Sequence, residues 1–148
     1  LFFLRADAQP PGNWQQALEH FWLAPDAKDA AATAFSVEYG AGFGLSALSA
    51  WSNARVRSGL VSSDHGLCTT PEMYKATGGF PPFPVLEDLE FSRRLRTRGR
   101  IALLPERMHS AARRIHAQGP LRWFLGRAWL ETRYKLGASP SDLFVAGV

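Results

Sequence analysis

The chain has 148 residues, 46% of them hydrophobic and 20% charged, which suits one folded domain with a core and argues against a chain disordered overall. A formal charge of +4 favours anionic partners (phosphates, nucleic acid, acidic lipid headgroups) without choosing among them. One cysteine, Cys68, excludes an internal disulfide framework, and no stretch approaches the ~20 apolar residues of a membrane-spanning helix.

In chain order, "LFFLRADAQPPG" begins with four bulky apolar residues, Leu1 to Leu4. They read as a buried strand that runs into a polar turn, with Asp7 at its edge and Pro10, Pro11 and Gly12 behind it. A buried strand needs neighbours on both sides, so a partner from outside these residues is expected beside it. The apolar part is too short for a secretory signal and no basic segment precedes it. Trp14, Leu18, Phe21 and Trp22 then stand at helical spacing, with Asn13 as N-cap and Pro25 as stop. Phe35, Val37 and Tyr39 alternate with Ser36 and Glu38, the period of a half-buried strand ended by Gly40. From Gly42 to Leu60 the pattern is ambiguous, although Leu45, Leu48, Trp51 and Val56 allow a helix.

The middle of the chain is punctuated more sharply. Thr70 can cap, Pro71 fits the first helical position, Glu72 suits the positive end of the helix dipole, and Gly78 can take the left-handed conformation that ends the helix. A Pro-rich loop follows, then a helix from about Glu87 to Arg98 with acids first and arginines last, stopped by Gly99. "RIALLP" reads as a strand, and "PLRWFLGRAWLETRYKLG" as a long final helix. Strands alternating with helices predict an α/β fold, a mixed sheet of three or four strands flanked by helices on both faces, with residues 1–148 as a single domain.

Taken singly, the candidate residues have bland readings. Asp7 can satisfy turn backbone, Glu87 and Asp88 suit a helix start on dipole grounds, and Arg113 and Arg114 can be solvated helix-end charges. His20, His65, His109 and His116 show no metal-binding spacing. The arginine run "FSRRLRTRGR" suggests nucleic acid, but Glu90 stands three and four residues before Arg93 and Arg94, where helical ion pairs form, and no zinc-finger or RNP-type sequence accompanies it. Nucleic acid is therefore not expected. Trp123, Phe124, Trp129 and Tyr134 serve core packing or, beside basic residues, an anionic membrane surface.

Read together, "LFFLRADAQPPG", "SSDHGL", "GGFPPFP", "LEDLEFSRRLRTRGR" and "HSAARR" form a series. It resembles the family 2 glycosyltransferases, whose catalytic domain has the nucleotide-sugar transferase fold called GT-A. Within them it is most similar to the small bacterial subgroup that reads "LFLHAD", a proline-rich turn, "GDQG", "GGFP", "MEDVEL" and "SARR", in the same order across nearly the whole chain. The resemblance implies a partial GT-A fold, the C-terminal portion on the metal and acceptor side. In such enzymes an N-terminal half of βαβ units, which holds the donor nucleoside, precedes the acid turn. It implies inverting, metal-assisted transfer of a sugar from a nucleotide-diphosphate donor to an acceptor hydroxyl, within a larger catalytic domain.

Residue roles follow by the same resemblance. Asp7 would hold Mg²⁺ or Mn²⁺ against the donor diphosphate, with Arg5 standing where the subgroup shows His and with a single Asp in the turn. Arg5, Arg113 and Arg114 would steady the diphosphate. Asp88 would be the base, with Glu87 placing it or binding acceptor. Asp64, His65 and Gly66 fall where the subgroup has "GDQG", a loop that would approach donor sugar or acceptor, His65 replacing Gln. The rival expectation is a non-catalytic remnant or partner-dependent module, because half a crevice cannot hold a nucleotide tightly. An open edge beside Leu1 would allow two copies to pair as a homodimer. The expected location is cytoplasmic, with the inner membrane face as the place where a lipid-linked acceptor would be met.

Overall fold

The computed structural model describes residues 1–110 and 113–145, with Arg114 described in its backbone only. Its elements are β1 (Phe2–Phe3), β2 (Ala8–Gln9), α1 (Trp14–Leu23), β3 (Ala30–Glu38), α2 (Phe43–Val56), β4 (Leu67–Cys68), α3 (Pro71–Ala76), α4 (Glu87–Arg96), β5 (Arg100–Ser110), α5 (Arg113–Gln118), α6 (Pro120–Lys135) and α7 (Pro140–Val145). The five strands form one mixed sheet in the order β1-β4-β3-β5-β2, in which β3 and β5 run parallel and the other neighbours are antiparallel. The chain is thus α/β, a mixed sheet flanked by helices.

Adjacent residues of β3 face opposite sides, as strand geometry requires. Ala34 packs with Val56 of α2 and with Phe91 and Leu95 of α4. Phe35 packs with Leu18 of α1 and with Leu104 and Met108 of β5. Both central strands outrun their sequence signals. β3 begins at Ala30, because Ala30 to Ala32 carry too little side chain to show alternation, yet Ala31 and Ala32 are buried. β5 passes Pro105: the ladder steps from Phe35↔Leu104 to Ser36↔Arg107, leaving Pro105 and Glu106 out of register, the bulge by which a strand accommodates a residue that cannot donate.

β1 is a two-residue edge strand whose neighbour among the described residues is β4, and Leu1 and Leu4 stay about half exposed at 51% and 42%. Its two phenylalanines anchor it from both faces. Phe2 stacks on Trp14 at 5.1 Å between centroids, while Phe3 meets Phe80 at 5.0 Å and Tyr74 at 5.4 Å, in a cluster centred on the fully buried Phe91. The helix from Thr70 forms as its residues dictate, the Thr70 hydroxyl accepting the Met73 N–H at 3.2 Å. The ambiguous segment after Gly42 is helix α2, whose buried face includes Ser49 and Ser52 and so lacks a clean apolar stripe. No helix among the described residues is long and apolar enough to cross a membrane.

Candidate functional site

The site exists because β4 is short. It pairs with β3 at Thr33 and Ala34 alone, and further along β3 the same backbone side is taken by side chains of α2. Asn53 accepts from the Val37 N–H at 2.8 Å and donates to the Val37 carbonyl at 3.1 Å, and the Ser49 hydroxyl accepts from the Tyr39 N–H at 3.1 Å. These bonds satisfy the strand without another strand, which explains two polar residues on the buried side of a helix. Beyond this point lies a cavity of about 880 Å³, lined among others by Arg5, Asp7, Asp64, Asp88, Arg113 and Arg127.

Each side chain arrives from a different element. Arg5 and Asp7 sit in the turn after β1, Asp64 on a 3₁₀ turn (Ser63–His65), Asp88 in the first turn of α4, Arg113 at the start of α5 and Arg127 midway along α6. Arg5 is the hub of the mouth. Its Nε and Nη2 donate to the two carboxylate oxygens of Asp7 at 2.9 and 3.1 Å, and its Nη1 lies 3.4 Å from Asp64 Oδ1. Arg113 Nη2 adds a bond to Asp7 Oδ2 at 3.4 Å. The bidentate Arg5 bond is the main reason the Asp7 carboxyl is held below its ordinary value. Asp64 also accepts from the Tyr39 hydroxyl at 3.2 Å and the Ser110 hydroxyl at 3.3 Å.

Asp88 is placed by backbone. Its Oδ2 accepts the Ser63 N–H at 2.8 Å and its Oδ1 the Leu89 N–H at 2.7 Å, with Arg127 Nη2 3.7 Å from Oδ1. Immediately before the acid pair, Leu86 takes a left-handed conformation at φ 63°, where a residue with a Cβ is strained by about 1–2 kcal/mol. Burial of its side chain among Leu89, Leu130 and Leu143 holds it there. Glu87 lines a second, smaller cavity of about 240 Å³, which shares Arg5, Ser63 and Asp88 with the first and adds the Phe80 ring. Asp88 therefore stands at the junction of the two spaces.

Beneath the cavity runs a chain of buried charges that sequence reading missed. Arg127 Nε donates to Glu131 Oε1 at 2.8 Å, Arg55 Nη2 donates to Glu131 Oε2 at 2.5 Å, and the Arg55 guanidinium lies 4.1 Å from the Trp51 ring centroid. The Arg127–Glu131 spacing of one helical turn was readable; the Arg55–Glu131 contact joins residues 76 apart and left no local trace. Arg127 Nη2 is buried without a hydrogen-bond partner.

Two expected substrate contacts are placed elsewhere. His65 is fully buried, its ring held by the Ser62 hydroxyl at 3.0 Å on Nδ1 and by Ser52 at 3.4 Å on Nε2, and burial lowers its pKa to about 4. Gly66 turns away at φ 61°, where a Cβ would lie 2.4 Å from Met108 Cε and 2.9 Å from Phe2 Cε2. Both residues build the turn that presents Asp64. The side chain of Arg114 and all of Ala111 and Ala112 lie outside the described residues.

The mouth does not suit a divalent cation. Such an ion prefers several free oxygen ligands, whereas both Asp7 oxygens are engaged by guanidinium groups and one guanidinium spans Asp7 and Asp64. The described residues contain no group of three His, Cys, Asp or Glu side chains able to hold a metal. What the arrangement can do is attract an anion to guanidinium groups that exchange their bonds to Asp7 for it, and present an oriented carboxylate beside it. No family model, no curated protein and no solved structure matches the chain.

Proposed function

We propose that this chain forms one wall of a glycosyl-transfer site of GT-A type, acting within a larger catalytic domain and moving a sugar from a nucleotide-diphosphate donor to an acceptor hydroxyl with inversion. The observation that carries the reading is the convergence of Asp7, Asp64 and Asp88, far apart in sequence, on one cavity that also holds Arg5, Arg113 and Arg127. In this reading the arginines take the donor diphosphate, whose charge grows as the sugar bond breaks. Asp88, oriented by the Ser63 N–H, accepts the proton of the attacking hydroxyl. Glu87, in the adjoining cavity, contacts the acceptor.

The free side of β1 supports the larger-domain part of the proposal. An edge strand with two anchored aromatic residues offers unpaired backbone to a further strand, from another part of the protein or from a second copy. The apolar stripe Leu121, Leu125 and Trp129 on α6, exposed at 71%, 56% and 46%, is compatible with an acceptor presented at a cytoplasmic membrane surface.

The test is a donor panel. The larger catalytic domain that contains this chain, incubated with UDP- and GDP-sugars and a mixture of simple acceptor alcohols, is expected to release nucleoside diphosphate. Asp88→Asn should cut that release by about 100-fold or more while nucleoside diphosphate binding persists, as loss of a general base requires. Turnover unchanged in Asp88→Asn would remove the assigned base, and failure of every nucleoside diphosphate to bind would remove the reading.

A further inference from the structure

We infer that the cavity holds its anion with guanidinium groups alone and needs no divalent cation; the inference rests on the proposed reading of the cavity as the seat of a diphosphate. A cation that bridges a ligand to the protein must reach carboxylate oxygens. Here Arg5 already lies between the two carboxylates of the mouth, bidentate on Asp7 and 3.4 Å from Asp64, in the position such a bridging ion would take. Arg113 closes the other approach to Asp7 Oδ2. A divalent ion would have to displace one or both groups of its own sign from an Asp7 carboxyl that is already stabilised in its charged form.

Charge and geometry supply what the metal would bring. Five arginines line the cavity against three aspartates, and Glu131 beneath it pairs with Arg55 and Arg127, so five positive groups meet four carboxylates and an excess of one positive charge remains without any added ion. Guanidinium forks match pairs of phosphate oxygens, so a diphosphate can take over the Arg5 fork from Asp7 and Asp64, and the guanidinium charge does not depend on pH in the working range.

Calorimetric titration of the catalytic domain that contains this chain with inorganic pyrophosphate, UDP and GDP, in EDTA and in MnCl₂, decides the matter. The expected result is the same dissociation constant within about threefold in both buffers, with Arg5→Ala and Arg113→Ala each weakening binding about tenfold or more through loss of charge-assisted bonds. Both side chains are partly exposed, at 36% and 76%, so the variants are expected to fold; their circular dichroism melts check this. Binding seen only with Mn²⁺ overturns this inference and leaves the glycosyl-transfer reading standing. Metal-free binding that neither Arg5→Ala nor Arg113→Ala weakens also overturns it. Pyrophosphate binding in EDTA that UDP and GDP do not displace supports the metal-free site and defeats the glycosyl-transfer reading. No binding of any diphosphate in either buffer defeats both.

Discussion

Two ion clusters, built from the same kinds of groups, meet in one cavity and do opposite jobs. At the mouth, Arg5, Asp7 and Arg113 keep 36%, 19% and 76% of their side-chain surface exposed. On the floor, Arg55, Glu131 and Arg127 keep 13%, 6% and 20%. Water competes for the mouth, so its pairs exchange readily for a ligand and contribute little to stability. On the floor the shared carboxylate, Glu131, is nearly closed off from water at 6%, each charge depends on its partners, and the network fixes where α2 and α6 sit against each other. The first cluster is placed to exchange its bonds for a ligand, and the second ties two helices together while Arg55 and Arg127 also line the cavity.

The sharpest way to break the contrast is Glu131→Ala, which leaves Arg55 and Arg127 facing each other without a counter-charge. It is expected to cost about 3–5 kcal/mol, read as a lowered urea midpoint. A loss near zero would show the floor to be as solvated as the mouth.

Next in size is an acid effect. The folded pKa of His65, near 4, lies below its ordinary value of 6.5, so the folded state binds fewer protons than the unfolded state between those values. Its stabilisation is therefore complete above about pH 6.5, declines as pH falls and levels off below about 4, a total on the order of 3 kcal/mol. Equilibrium denaturation across that range should show the slope, and His65→Gln should flatten it. A further decline is expected from Glu90. Burial alone would raise its pKa, but bonds from Arg93, Tyr134 and Arg94 outweigh this and bring it to about 2, so its contribution is lost as pH falls from about 4.5 towards 2.

The smallest effect belongs to the mouth. Asp7→Asn and Arg5→Ala should leave the denaturation midpoint within experimental scatter at neutral pH, even though Arg5→Ala weakens diphosphate binding. A large shift in midpoint for either variant would mean that the mouth is structural and would erase the division between the clusters.

Much of the local structure was legible because local physics decides it. The cap at Thr70, the proline after it, the acids and arginines at opposite ends of α4, and the aromatic spacing of α1 all express energies between residues a turn apart. Where side chains carry no pattern, the reading failed. The alanines opening β3 and the serines on the buried side of α2 give no apolar period, and Pro105 masks a strand that continues through a bulge. The acids of the candidate site were found from motif order. His65 was assigned to the ligand by its place in the series, whereas burial makes it a support for the turn.

The sequence by itself determined the α/β alternation, the capped helices and the identity of the acids and arginines available for chemistry, since each follows from neighbours along the chain. Only the tertiary structure decided that β4 stops after two residues, that Asn53 and Ser49 replace it, and that Asp7, Asp64 and Asp88 open on a common space. It also decided which charges are dry, because burial is a property of what packs on a residue from elsewhere, and Glu131 meets Arg55 across 76 positions that no local pattern connects.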